Sequence, residues 1–210
     1  EAERVARRAR VRRLGSDRIE AAKSVPDLNG SLFDAINDLA GHVTVADEAM
    51  KFAAEYVIFA VFALVVASWF IGGVSGESRR IAVYTAVLAG ALAIATVMVI
   101  QHFYVHQRPF VGRTGVVLLV KRSADASFPS EHATAAFAVA TGIAIYRLRY
   151  GLVLLALAVL ISFARIYVGV HYPGDVLGGA AIGGGVAFML RPARRAFAWL
   201  DRMIVVRIVP

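Results

Sequence analysis

The chain has 210 residues, of which 59% are hydrophobic and 18% charged, with a mean hydropathy of +0.65. Soluble domains run nearer to about a quarter charged, so this composition excludes a disordered chain and argues against an ordinary soluble enzyme. There is no cysteine, which removes disulfides, thiolate metal ligands and cysteine nucleophiles, and the net charge of +8 favours anionic partners such as head groups and phosphates.

Residues 1–28 form a basic extension that carries Arg4, Arg7, Arg8, Arg10, Arg12, Arg13, Arg18 and Lys23. No apolar run follows inside it, so it is not a secretory signal. A solvated or head-group-facing tail is expected, and no nucleic-acid partner. The chain begins at Glu1 and not at Met, which reads as a trimmed chain. Asn29-Gly30 reads as a break, and Ser31 with Asp34 as a capping box. Leu32, Phe33, Ile36, Leu39, Ala40 and Val43 then recur at helical spacing, with Asp34, Asn37 and Asp38 on the other face. This is an amphipathic helix suited to the membrane interface. Thr44 with Asp47 repeats the capping signal, and the next helix runs through Asp47, Glu48 and Lys51 into the apolar stretch from Tyr56 to Ile71.

After Arg79-Arg80, the run Ile81–Ile100 is uncharged. Its length suits a membrane span, which takes about 20 residues. A polar connection covers Gln101–Glu131, followed by three shorter apolar segments, Ala133–Tyr146, Gly151–Ala164 and Val176–Leu190. Gly178, Gly179, Gly183, Gly184 and Gly185 sit in the last of these and predict a close helix–helix approach. The expected fold is therefore all-α. It is a polytopic transmembrane bundle of about five spanning helices, preceded by the amphipathic interfacial helix. Residues 29–195 form the membrane-embedded domain and 196–210 a C-terminal tail. Arg79, Arg80, Arg147, Arg149, Arg191, Arg194 and Arg195 fall at one end of the bundle, which the positive-inside rule makes cytoplasmic.

Three polar clusters fall at the opposite end. They are Gln101, His102, His106, Arg108 and Pro109; Phe128-Pro129-Ser130-Glu131-His132; and Arg165, His171 and Asp175. Ionisable groups are costly at membrane depth and usually functional there. Two guanidiniums, a serine hydroxyl and helix N-termini suit a phosphate. A neutral imidazole beside it is a nucleophile, and a second imidazole can protonate the departing oxygen. His171 with Asp175, and His132, are the two imidazoles so placed. Three other readings compete with this one. Arg165 and Asp175 can form an ion pair with His171 as filler. His102 and His106, at i and i+4, can chelate a metal on a helix, although no third ligand lies nearby. The whole chain can be a small transporter or structural membrane protein. His42, His102 and His106 read best as interfacial polar residues, and no metal or other cofactor is expected.

Arg108-Pro109, Pro129-Ser130-x-His132, and Arg165 with His171 and Asp175 at their spacings resemble the signatures of the type 2 phosphatidic acid phosphatase superfamily. Ala126–His132 and His171–Val176 further resemble its bacitracin-resistance type of undecaprenyl-diphosphatase. The resemblance covers roughly residues 29–190. It implies a metal-independent membrane phosphatase working through a phosphohistidine, with a polyprenyl or other lipid phosphate as substrate. His171 would attack phosphorus, Asp175 would support it and His132 would protonate the leaving group. Arg108, Arg165 and Ser130 would hold the phosphoryl oxygens, on the extracytoplasmic face. Two positions depart from the pattern. Gln101 stands where the superfamily usually has lysine, and Glu131 where it commonly has glycine. Both are carried over only as weaker phosphate-site residues, and Arg113, Lys121 and Arg122 are possible partners for Glu131. The same chemistry would also suit phosphatidylglycerol phosphate, phosphatidic acid or a polyprenyl-phosphoryl sugar phosphate.

Overall fold

The structure is a computed structural model that describes residues 27–70, 76–123 and 125–208, without the side chains beyond 204. Most of the basic extension lies outside the described residues. All regular structure among the described residues is helical.

Helix α1, Leu28–Asn37, begins earlier than its capping signals suggest. Asp27 is the cap, its carboxylate accepting the Gly30 N–H at 3.0 Å, and not Ser31. Asn29-Gly30 lies inside the first turn and does not break it. A tertiary bond explains this, since the Asn29 side-chain oxygen accepts the Gly174 N–H at 2.8 Å. Helix α2, Thr44–Glu55, has no side-chain cap. Asp47 accepts instead from the Gly41 N–H at 3.1 Å and the Tyr167 hydroxyl at 2.9 Å. At Tyr56 the chain bends by 48° into α3, Val57–Phe70.

Helix α4 covers Glu77–Phe103, α5 is the single turn Pro109–Gly112, and α6 covers Glu131–Ala144. Helix α7 is Leu148–Tyr167 and α8 is Pro173–Met189, which passes through a 3-10 turn at Arg191–Ala193 into α9, Arg194–Ile208. Three stretches are long and apolar enough to cross a membrane: α4, α7 and Pro173–Ile204; α2 with α3 makes a fourth if the bent pair is one span. The fifth expected span is α6. Its 14 residues rise only about 21 Å, short of the roughly 30 Å hydrocarbon core.

Helix α6 is the hub of the bundle, packed against α4, α7 and α8. Its Ala133, Ala135, Ala136, Ala138 and Ala140 are all buried, so neighbouring backbones come close. The expected glycine face of α8 meets it. A methyl group on Gly183 would lie 2.2 Å from the Thr134 carbonyl oxygen, and one on Gly179 would lie 2.8 Å from that of Ser130. Residues after 195, set apart above as a tail, continue α9 along α4. There Asp201 accepts from Arg80 Nε at 2.6 Å and Nη2 at 2.8 Å, with both residues buried.

Candidate active site

The three polar clusters converge at the end of the bundle where α4 stops and α6 and α8 start. The Ala126–Ser130 loop is held on both sides. The Ser127 N–H donates to the His106 carbonyl at 2.7 Å, and the Ser130 N–H to the Asp175 carbonyl at 3.1 Å. Gln101, in the last turn of α4, donates to the Pro129 carbonyl at 3.2 Å. It steadies the loop that leads into α6. Ser130 is the N-cap residue of α6, as its sequence position suggests, but its hydroxyl caps nothing. That buried oxygen has no hydrogen-bond partner among the described residues.

His171 lies in the short turn between α7 and α8 and is 2% exposed. Its Nδ1 lies 2.9 Å from the Ser127 carbonyl oxygen and 3.6 Å from Asp175 Oδ2. A carbonyl only accepts, so Nδ1 carries the hydrogen and Nε2 the lone pair. The tautomer is thus fixed first by a main-chain oxygen and second by the carboxylate. Arg108 Nη1 donates toward Nε2 at 3.3 Å and to the Val170 carbonyl at 3.2 Å. Burial, opposed by the hydrogen bond to Asp175 and reinforced by Arg165 and Arg108, pushes the His171 pKa down to about 4. The ring is therefore neutral near pH 7, as a nucleophile requires.

Asp175 is 1% exposed and sits at the third position of α8. Its Oδ2 accepts from the Ser127 hydroxyl and, at 2.8 Å, from the Tyr172 N–H. It forms no ion pair with Arg165, which overturns the structural-pair reading. Arg165 instead brings its guanidinium to the site. Among the described residues its buried Nε has no partner, and Nη1 reaches the Ala54 carbonyl at 3.5 Å. Arg108 is 6% exposed and its Nε donates to the Asp125 carbonyl at 3.0 Å. Among the described residues neither arginine is paired with a carboxylate in a salt bridge. Burial pushes the Arg108 pKa down, against the pull of Asp125, Glu131 and Asp175, yet arginine stays charged.

His132, in the first turn of α6, feels the charges of Arg165, His171 and Arg108. Glu131 acts on both arginines, while Arg113 turns away from it to Asp34 and, at 3.5 Å, Asp27. Gln101, Arg108, Ser130, Glu131, His132, Arg165, His171 and Asp175 thus gather at this end of the bundle, while His102 and Arg113 do not join them. Two neighbours carried no assigned role. Ser127 is fully buried and touches both His171 and Asp175. His106 is not merely interfacial, since its Nδ1 lies 3.4 Å from Asp175 Oδ1. His102 belongs to the end of α4 and His106 lies beyond its cap at Tyr104, so the i, i+4 helical chelate is not formed.

The sequence model of the PAP2 superfamily matches residues 82–199. Undecaprenyl-diphosphatase BcrC of Bacillus subtilis is 36% identical over 155 residues, covering 74% of this chain and 78% of that protein. Among solved structures, Aquifex aeolicus LpxE is similar at a TM-score of 0.65 and 29% identity, over 79% of this chain and 96% of that one. A transmembrane PAP2 type phosphatidylglycerolphosphate phosphatase from Bacillus subtilis shares the fold at a TM-score of 0.58 and 20% identity, over 85% and 92% of the two chains.

Proposed function

Since the chain belongs to the PAP2 superfamily, we propose that it hydrolyses undecaprenyl diphosphate to undecaprenyl phosphate and phosphate through a phosphohistidine on His171. The observation that carries this reading is a pair of guanidiniums, Arg108 and Arg165, held at a buried imidazole, neither of them salt-bridged to a carboxylate among the described residues. Buried like charges of this kind call for an anion.

In the first step the His171 Nε2 lone pair attacks the terminal phosphorus as the bond to the bridging oxygen breaks. His132, able to take up a proton once the bound diphosphate offsets the charges of Arg108 and Arg165, gives it to that oxygen, and undecaprenyl phosphate leaves. Arg108, whose Nη1 now donates toward Nε2, would turn that N–H to a phosphoryl oxygen, beside Arg165 and the unpartnered Ser130 hydroxyl. The phosphorylated ring is cationic, and the Asp175 carboxylate beside Nδ1 stabilises it. In the second step water attacks phosphorus, its proton passes to His132, and the P–N bond breaks to restore Nε2. Gln101 acts on the loop, and the Glu131 charge, felt by Arg108 and Arg165, opposes that of a product phosphate.

Recycling of a carrier lipid for wall synthesis, and with it bacitracin resistance, follows from that substrate. We place the site on the extracytoplasmic face, because the arginines at 79, 80, 147, 149, 191, 194 and 195 cluster at the other end of the helices.

Detergent-purified protein with a chelator present should release phosphate from undecaprenyl diphosphate at a higher kcat/KM than from phosphatidylglycerol phosphate, phosphatidic acid or a polyprenyl-phosphoryl sugar phosphate. Vanadate should block it. His171→Ala, folded normally, should lose at least about 10³-fold in kcat. Wild-type turnover by that variant would end the nucleophile assignment, and a different best substrate would change the lipid while keeping the chemistry.

A further inference from the structure

Asp175 stands between two imidazoles. Its Oδ2 is engaged by the Ser127 hydroxyl and the Tyr172 N–H, and faces His171 Nδ1 at 3.6 Å. Its Oδ1 is approached by His106 Nδ1 at 3.4 Å, just beyond a formed hydrogen bond. The His106 ring is a built part of the site. It stacks on Tyr104 with centroids 6.2 Å apart and planes 16° apart, and packs on Tyr172 at 5.5 Å. The side chain is 36% exposed, yet Nδ1 itself is shut from solvent and has no hydrogen-bond partner among the described residues. The residue's carbonyl meanwhile accepts the Ser127 N–H, in the same loop whose carbonyl orients His171.

A buried polar nitrogen aimed at a carboxylate oxygen calls for a role, because leaving it unsatisfied costs about 1–3 kcal/mol. Catalytic hydrogen bonds are often long before substrate arrives and tighten afterwards. Resting on the reading of His171 as nucleophile, we propose that His106 is a positioning residue that works through Asp175. Its Nδ1–H steadies Oδ1, which keeps Oδ2 toward His171.

The groups facing His106 are Asp175 and Tyr172 at the start of α8 and Tyr104 on its own segment. Arg108 and His171 share the field of Asp175, while Asp125 and Glu131 act through Arg108, and Arg113, Asp27 and Asp34 through Tyr172. Asp175 alone among them approaches Nδ1.

Two variants separate the parts of this role. His106→Phe keeps the ring stack and removes the donor. His106→Asn places an amide N–H near the same spot. With undecaprenyl diphosphate near pH 8, His106→Phe should lose about 10- to 100-fold in kcat with KM within about twofold of wild type. His106→Asn should recover most of that loss. Equal kcat in wild type and His106→Phe, or no recovery of kcat in His106→Asn, overturns the proposal. If His106→Phe fails to fold, His106→Leu takes its place in the comparison with His106→Asn. An inactive wild type, or an active His171→Ala, would instead sink the underlying function.

Discussion

His171 should make folding pH-dependent. An imidazole in the unfolded chain takes up its proton near pH 6.5, whereas burial in the fold delays this to about 4. Between those values the unfolded chain holds the extra proton, so stability falls as pH drops through this window and levels off beneath it. Thermal denaturation of the purified protein from about pH 7.5 to 4 should show that decline, with a shallower slope in His171→Gln. Parallel slopes would mean the ring is protonated in the fold. Ser127 is testable separately. Ser127→Ala removes the hydroxyl on Asp175 but leaves the carbonyl that takes the Nδ1–H. It should lower kcat about 10- to 100-fold with little change in KM. Arg165, His171 and Asp175 stood out in the sequence because charge beside apolar runs is conspicuous, and Arg108, Ser130 and His132 because their spacing resembles the superfamily's signatures. Ser127 was not, since its closest contact to His171 is made by a backbone oxygen that every residue possesses. His106 was not, because its direction depends on where α4 ends.

Glycines mark the closest helix contact. Gly183→Ala would drive a methyl group to 2.2 Å from the Thr134 carbonyl oxygen and 2.8 Å from the Ala138 nitrogen, both backbone atoms of α6. Such overpacking costs roughly 1–3 kcal/mol. Gly185→Ala meets nothing within 4 Å. It should be neutral or stabilising, because alanine is favoured over glycine in a helix by about 1 kcal/mol. Melting temperatures of the two variants should therefore move differently, and equal shifts would contradict the packing of α6 on α8. The sequence showed a glycine cluster, but not which glycines faced inward. It also misplaced the start of α1, because Ser31 and Asp34 form a capping pattern while the choice of Asp27 is supported by the distant bond between Asn29 and Gly174.

Across the whole molecule, the least legible feature was α9. Its amphipathic arginine-rich sequence reads as a tail, and the pairing of Arg80 with Asp201 joins positions 121 residues apart. Removing one member of a buried ion pair costs about 3–5 kcal/mol. Asp201→Ala should lower the melting temperature and speed tryptic cleavage at Arg194 and Arg195, while kcat at low temperature holds because the pit is at the other end of the bundle. Unchanged cleavage would show that other contacts hold α9. At that other end, α1 packs beside the site, fixed by Asn29 to Gly174, by Asp34 to Arg113, and by Asn37 to the carbonyls of Val117 and Tyr167 at 2.8 Å each. A ribosome delivers α1 first, while His171 and Asp175 emerge more than a hundred residues later. A nascent chain halted after α7 would thus hold the flanking helix and no nucleophile, so hydrolysis cannot begin before the ribosome has delivered the turn at His171 and the start of α8.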